Sequence, residues 1–160
     1  MGVPGSRSAC RRRENNELAE LSSETVHASC VAIDGRGVLV TGKSGSGKSD
    51  LTLRLIDRGA ILVSDDYTIV TRTGDGLIAT APETIRGKLE IHGLGIVEAP
   101  FADKAPVALI VIVDEPPVRL PPSPETRRIA GVDIPAIAFA GLEPSAAIKV
   151  EWALRRFTSG

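Results

Sequence analysis

The sequence has only two cysteines, Cys10 in a polar stretch and Cys30 beside an apolar run, and neither stands at metal-ligand spacing. Such a pair predicts free thiols in a reducing cytosol and argues against a disulfide-stapled scaffold. Long hydrophobic runs are missing as well: nothing approaches the ~18 consecutive apolar residues of a membrane helix, and the N-terminus has no apolar signal core. The expectation is a cytoplasmic chain without membrane contact. An excess of one charge is also lacking, with 19 basic residues against 20 acidic and a formal net charge of −1. No basic surface is offered to nucleic acid. At 160 residues and 42% hydrophobic content the chain has room for one domain, which can bury roughly two thirds of its unfolded surface without metal or disulfide support.

What is present is organised around Gly42-Lys43-Ser44-Gly45-Ser46-Gly47-Lys48-Ser49, set between the apolar run Val38-Leu39-Val40 and the periodic segment Leu51, Leu53, Leu55, Ile56. This is a complete G-x-x-x-x-G-K-S pattern with a strand before it and a helix after it. Glycines at 42, 45 and 47 let the backbone turn consecutive N–H groups inward around an anion, and the helix N-terminus adds its positive end at the same spot. Lys48 can reach the β- and γ-phosphates of ATP as a point charge. The Ser49 hydroxyl can complete the shell of a Mg²⁺ ion bound to them.

Along the chain, Met1 to about Thr25 reads as a disordered tail carrying Arg11-Arg12-Arg13, with at most a frayed helical turn at Glu17 to Leu21. Val31 and Ile33 mark a short strand, Asp34 to Gly37 a turn, and Val38 to Thr41 the next strand. Lys48 to Arg58 is a helix closed by Gly59. Ala60 to Val63 is a strand expected to be covered on both faces and to lie beside the phosphate-loop strand, running into Ser64-Asp65-Asp66. Tyr67 to Arg72 and Leu77 to Thr80 read as an antiparallel hairpin, and Leu89 to His92 as a short strand entering a glycine-hinged loop. Val107 to Val113 is the most apolar strand and ends at Asp114-Glu115. Glu115 to Pro124 holds five prolines and reads as an exposed loop, Val132 to Phe139 as a last strand, and Pro144 to Phe157 as an amphipathic C-terminal helix. The fold class that follows is α/β: a single P-loop kinase-like domain over residues 26–160 with a mixed central sheet.

Phosphoryl transfer needs metal ligands and either a base for a hydroxyl nucleophile or a group that orients water. Two acidic pairs qualify: Asp65-Asp66 after the strand that follows the phosphate-loop helix, and Asp114-Glu115 after the most apolar strand. Spacing alone leaves both open.

Taken together, the segment around Lys48 and Ser49, the Arg58-Gly59 helix end, the strand into Ser64-Asp65-Asp66 and the run Leu89-Glu90-Ile91-His92-Gly93-Leu94-Gly95-Ile96 resemble the catalytic domain of HPr kinase/phosphorylase over roughly Val26 to Phe157. The length is similar to that of forms without the N-terminal regulatory domain. The resemblance implies a bifunctional bacterial enzyme of the phosphotransferase system that phosphorylates a serine of HPr or an HPr-like phosphocarrier, with inorganic phosphate as the reactant of the reverse activity. It also implies a homohexamer joined through the loop after Glu90 and through the C-terminal helix. Carried over by position, it puts the catalytic histidine at His27, the general base at Asp66 with Asp65 beside it, Mg²⁺ at Ser49 and Glu90, and a later catalytic arginine at Arg119. A lone histidine before a strand is ordinarily structural; only the resemblance makes His27 functional.

Two departures bear on the reverse reaction. His92 stands where the family has arginine, and Ile134 to Glu143, which corresponds to a basic segment tied to dephosphorylation, contains no Lys or Arg. Phosphorylase activity is thereby put in doubt, while the kinase residues are in place. Two competing readings are a general P-loop ATPase using Asp114 and Glu115, and a nucleotide-sensing module that has lost transfer.

Overall fold

The structure is a computed structural model that describes residues 22–119 and 123–158. The expected tail before residue 22, with its arginine triplet, its helical turn and Cys10, lies outside them. The described residues hold eleven strands and two α-helices in the order β1 Ser23–Val26, β2 Ala28–Ile33, β3 Arg36–Thr41, α1 Lys48–Asp57, β4 Ile61–Ser64, β5 Thr68–Thr73, β6 Gly76–Thr80, β7 Lys88–Ile91, β8 Gly95–Glu98, β9 Ala105–Ile112, β10 Glu125–Ile129, β11 Val132–Ala138 and α2 Ala146–Phe157. A 3₁₀ turn covers Glu83–Ile85.

Nine strands form one mixed, curled sheet in the order β1-β5-β6-β9-β3-β2-β4, with β11 joined to β9 and β10 to β11. β3, β9 and β11 are mutually parallel, whereas every other pairing in that sheet is antiparallel. The central strands are unbroken apolar runs because both of their faces are covered. Val38 and Val40 on β3, with Leu109 and Val111 on β9, pack against Leu51 and Leu55 of α1 and Val150 and Leu154 of α2. Leu39, Ile110 and Ile112 point the other way, into a second core closed by Val63, Val70, Leu77 and Ile134 from the curled part of the sheet. Leu51 and Leu55 lie one turn apart and are both fully buried, so truncating Leu55 to alanine would cost about 2–5 kcal/mol.

α1 ends where the sequence places its stop. Gly59 takes φ 107°, its N–H donates to Ile56 O (3.0 Å), and the Ala60 N–H reaches back to Leu55 O (3.0 Å). That is a Schellman cap, and it turns the chain into β4 within two residues. The short β7 and β8 form a separate hairpin, Lys88 opposite Glu98, in place of the single short strand expected there.

Two other expectations change, and one strand stands where none was expected. Ser23 to Thr25, read as tail, pair with Thr71, Val70 and Ile69 of β5; their polar sequence hides a strand that is only half-covered. β10 has the burial of a wet surface ribbon, with Arg127 and Arg128 on it exposed, and among the described residues its ladder comes from β11. β4 is not beside the phosphate-loop strand. It pairs with β2, which is antiparallel to both neighbours and lies between β4 and β3; as an edge strand it leaves Ile61 47% exposed.

Candidate active site

Because β2 runs antiparallel, its first residues lie at the same end of the sheet as the last residues of β3 and β4. Ala28 is opposite Thr41, and Cys30 is opposite Ser64. His27, just before β2, is therefore inserted between the phosphate loop that leaves β3 and the Asp65-Asp66 pair that leaves β4. The inserted strand separates β3 from β4 and fills the gap with an imidazole.

Three side chains meet there. Lys48 Nζ lies 2.9 Å from Asp66 Oδ1 and 3.1 Å from His27 Nε2, and His27 Nε2 lies 3.0 Å from the same Asp66 oxygen. Lys48 is buried, whereas His27 and Asp66 are each about half exposed at 46% and 49%. The cation is fixed from below and the carboxylate opens to solvent. Partial burial pushes the Asp66 carboxyl up, but the hydrogen bond and charge of Lys48, followed by those of His27, outweigh it and hold the group below its ordinary range. A single Nε2 cannot serve both neighbours at once: protonated it donates to Asp66, and bare it accepts from Lys48.

The two aspartates differ in role. Asp65 is held by the backbone N–H of Glu90 at Oδ2 (3.0 Å) and by the Ser29 hydroxyl at Oδ1 (3.3 Å). Ser29, wholly buried, also accepts the Asp66 N–H (2.9 Å). Asp66 has φ 66°, and the Tyr67 N–H donates to Asp65 O across it (2.7 Å). This is the rarer, strained hand of γ-turn. Asp65 thus tethers β7 and the turn, and Asp66 is left as the carboxylate aimed at the lysine.

Residues that the sequence did not single out complete the site. Tyr67 stacks on His27 with ring centroids 5.0 Å apart and planes at 20°. Thr68 Oγ1 donates to Ala28 O (2.7 Å) and Thr41 Oγ1 to His27 O (3.4 Å), so the backbone on both sides of the imidazole is pinned. An aromatic after an Asp-Asp pair was the available signal for Tyr67. Nothing local marks Ser29, which reads as an ordinary strand residue.

The phosphate loop has the expected conformation. Gly42, Gly45 and Gly47 have φ of 159°, 83° and 99°. A Cβ on Gly42 would lie 2.6 Å from Val113 Cγ2 and 2.7 Å from Ser46 Oγ, so no side chain fits there. Lys43, Ser44 and Ser49 are exposed. Asp114 Oδ2 accepts the Lys43 N–H (3.1 Å), and Glu115 pairs with Arg127 (3.0 Å). Both face a cavity of about 470 Å³ also lined by His27, Thr41 and Ile112. The rival acidic pair thus braces the root of the loop and a rim arginine, while the carboxylate in contact with Lys48 is Asp66.

The Ser49 hydroxyl, at the first turn of α1, and the Glu90 carboxylate, on β7, are both exposed and make no side-chain hydrogen bond among the described residues. No group of three or more His, Cys, Asp or Glu there can hold a metal. A hydroxyl and one carboxylate suit Mg²⁺, which keeps most of its shell as water and phosphate oxygen, and do not suit an ion that needs an all-protein cage. Arg119 is exposed on the loop after β9 and makes no hydrogen bond or ion pair among the described residues; the structure does not bring it to Lys48 and Asp66.

Comparison with known proteins places the chain in a family. The family model of the HPr Serine kinase C-terminal domain matches residues 16–103. The chain is 48% identical over 82 residues to the HPr kinase/phosphorylase of Chloroherpeton thalassium, covering 49% of this chain and 24% of that protein. It is 37% identical over 124 residues to the HPr kinase/phosphorylase of Prosthecochloris aestuarii, covering 69% and 36%. The chain thus spans about a quarter to just over a third of the length of these relatives. The solved structure of the HPr(Ser) kinase/phosphatase from Coxiella burnetii superposes with a TM-score of 0.71 at 31% identity, covering 83% of this chain and 89% of that one.

Proposed function

Since the chain belongs to the family of the HPr Serine kinase C-terminal domain, we propose that it is an ATP-dependent protein serine kinase whose acceptor is HPr or an HPr-like phosphocarrier of the phosphotransferase system. The observation that carries this reading is the contact of Lys48 Nζ with Asp66 Oδ1 across His27. A γ-phosphate drawn to Lys48 is then within reach of a half-exposed carboxylate that is ionised at neutral pH.

In the forward reaction the serine oxygen bonds to the γ-phosphorus as the bond to the β,γ-bridging oxygen breaks, and Asp66 takes the serine proton. Lys48 offsets charge on the transferring group and on the departing ADP. His27 holds Asp66 in place and, once Lys48 turns to phosphate, donates to the carboxylate through Nε2. Ser49 and Glu90 are the residues that would hold Mg²⁺, which supplies further charge compensation on the phosphates. In the reverse direction inorganic phosphate attacks phosphoserine, pyrophosphate forms, and protonated Asp66 returns its proton to the serine oxygen. The weaker charge at His92 and the absence of Lys and Arg from 134–143 favour the kinase direction.

The rest of the reading concerns the setting. Assembly into a homohexamer is proposed through the β7–β8 hairpin, where Leu94 and Ile96 are 75% and 71% exposed, and through α2, where Trp152 is 62% exposed. A cytoplasmic location fits a phosphocarrier partner, and no described helix is long and apolar enough to cross a membrane. The test is incubation with Mg·ATP and HPr, which should yield phosphoserine. Asp66→Asn should abolish transfer and leave nucleotide binding in place, because asparagine tolerates the left-handed backbone at 66. Transfer by that variant at the normal rate would overturn the assignment of the base.

A further inference from the structure

The order of strands sets a direction across the phosphate loop. Asp66 and His27 arrive from β4 and β2 on one side of β3; β9 and then β11 lie on the other. A nucleotide whose terminal phosphate faces Asp66 must leave the loop toward the β9–β11 side. The chain leaving β11 is waiting there.

After β11, Phe139 continues the pairing to Ile112 O (3.0 Å), and Glu143 N–H closes a tight turn onto Ala140 O (3.1 Å) with Gly141 and Leu142 at its centre. This turn abuts the phosphate loop. A Cβ placed on Gly47 would lie 3.0 Å from Leu142 Cγ and 3.2 Å from Gly141 C, and one placed on Gly141 would lie 3.2 Å from Ser46 O. The Arg54 guanidinium, on the phosphate-loop helix, donates to Glu143 O, and Lys149 of α2 pairs with the Glu143 carboxylate (2.8 Å). Leu142 is thus rigidly mounted one residue from Lys48, yet 64% exposed. Burial does not explain it: Gly141 before it is buried, whereas the leucine, set with Cγ and Cδ2 against Gly47, leaves most of its surface to solvent. A fixed, exposed apolar side chain next to a polar anion cradle is suited to a ligand with an apolar flat part joined to a phosphate chain.

We infer that Leu142 is the rest against which the base of the bound nucleotide packs, with Gly47 and Gly141 kept as glycines so that turn and loop can touch. The inference rests on the nucleotide reading proposed above and adds the place of the base. A leucine meets the π-face of a base and cannot read its hydrogen-bonding edge, so the contact serves purine nucleotides in general and discriminates little between ATP and GTP.

The experiment compares binding of Mg·ATP, Mg·GTP and inorganic tripolyphosphate by titration calorimetry to the unaltered chain, Leu142→Ala, Leu142→Phe and Lys48→Ala. Leu142→Ala should weaken both nucleotides by about five- to twentyfold, the scale of withdrawing a few carbons from apolar contact, and leave tripolyphosphate within about twofold. Leu142→Phe should hold or improve nucleotide affinity. An equal loss for nucleotides and tripolyphosphate in Leu142→Ala, or no loss for nucleotides, would overturn the placement of the base. If instead Lys48→Ala binds tripolyphosphate as well as the unaltered chain, the phosphate site itself is wrong, whatever Leu142 does.

Discussion

Lys48 Nζ lies 2.9 Å from Asp66 Oδ1, although β3, which leads into the phosphate loop, and β4, which leads into Asp65-Asp66, are kept apart by β2. The contact exists because β2 enters at the same end as β3 and β4 leave, and contributes His27 as a third partner at 3.0 Å from the carboxylate.

One consequence is a dependence on pH. The Asp66 carboxyl is held below its ordinary range, with Lys48 outweighing the opposing effect of burial. A lowered folded-state value means that its contribution to stability is fully present above the unfolded carboxylate range and is lost as pH falls through the lowered one. In Lys48→Met the Asp66 carboxyl should titrate at higher pH than in the unaltered chain, as read by carbon NMR of the labelled side chain. An unchanged titration would mean that Lys48 does not set the ionisation of Asp66.

Stacking of Tyr67 on His27 predicts a positioning role. Tyr67→Phe should keep the phosphotransfer rate, and Tyr67→Ala should lower kcat about three- to tenfold with KM for ATP unchanged, matching the ~0.5–1.5 kcal/mol of an aromatic pair. Steady-state kinetics checks both, and an equal loss in the two variants would point to the hydroxyl instead of the ring.

Ser29 is buried and serves both aspartates. Ser29→Ala leaves the Asp66 N–H without its acceptor, so the urea midpoint should fall by an amount equivalent to about 1–3 kcal/mol. Transfer should fall as well, because the γ-turn that aims Asp66 loses its support. Full activity with only reduced stability would confine Ser29 to the fold.

Glu115→Gln separates the two acidic pairs. Its side chain pairs with Arg127 at the cavity rim, and transfer to HPr should stay within about twofold of normal while Asp66→Asn is inactive. The reverse outcome in an acceptor-free ATPase assay would favour the hydrolytic reading.

Cys30 provides a check on packing. Burial pushes its thiol up to about 12 despite the lowering influence of a backbone hydrogen bond from Val38, so the native protein should resist iodoacetamide at that position at neutral pH. Mass spectrometry of the alkylated peptide should show labelling at 30 only after denaturation.

The parts of this protein that local chemistry decides were legible from the sequence. The glycine spacing of 42–49, the Leu51/Leu55 stripe with its Gly59 stop, the 67–80 hairpin and the apolar β9 each depend on residues close in the chain, whose backbone freedom and periodicity are visible one letter at a time. Polar edge elements were not: Ser23–Val26 and Glu125–Ile129 carry no apolar alternation, because their partners' ladders and not their own burial make them strands. The His27–Lys48–Asp66 contact, the division of labour between Asp65 and Asp66, and the approach of Leu142 to Gly47 were decided by tertiary structure alone. Each depends on which strand lies beside which. That order is set by how the two sheet faces bury their apolar residues, a long-range balance that no short segment records.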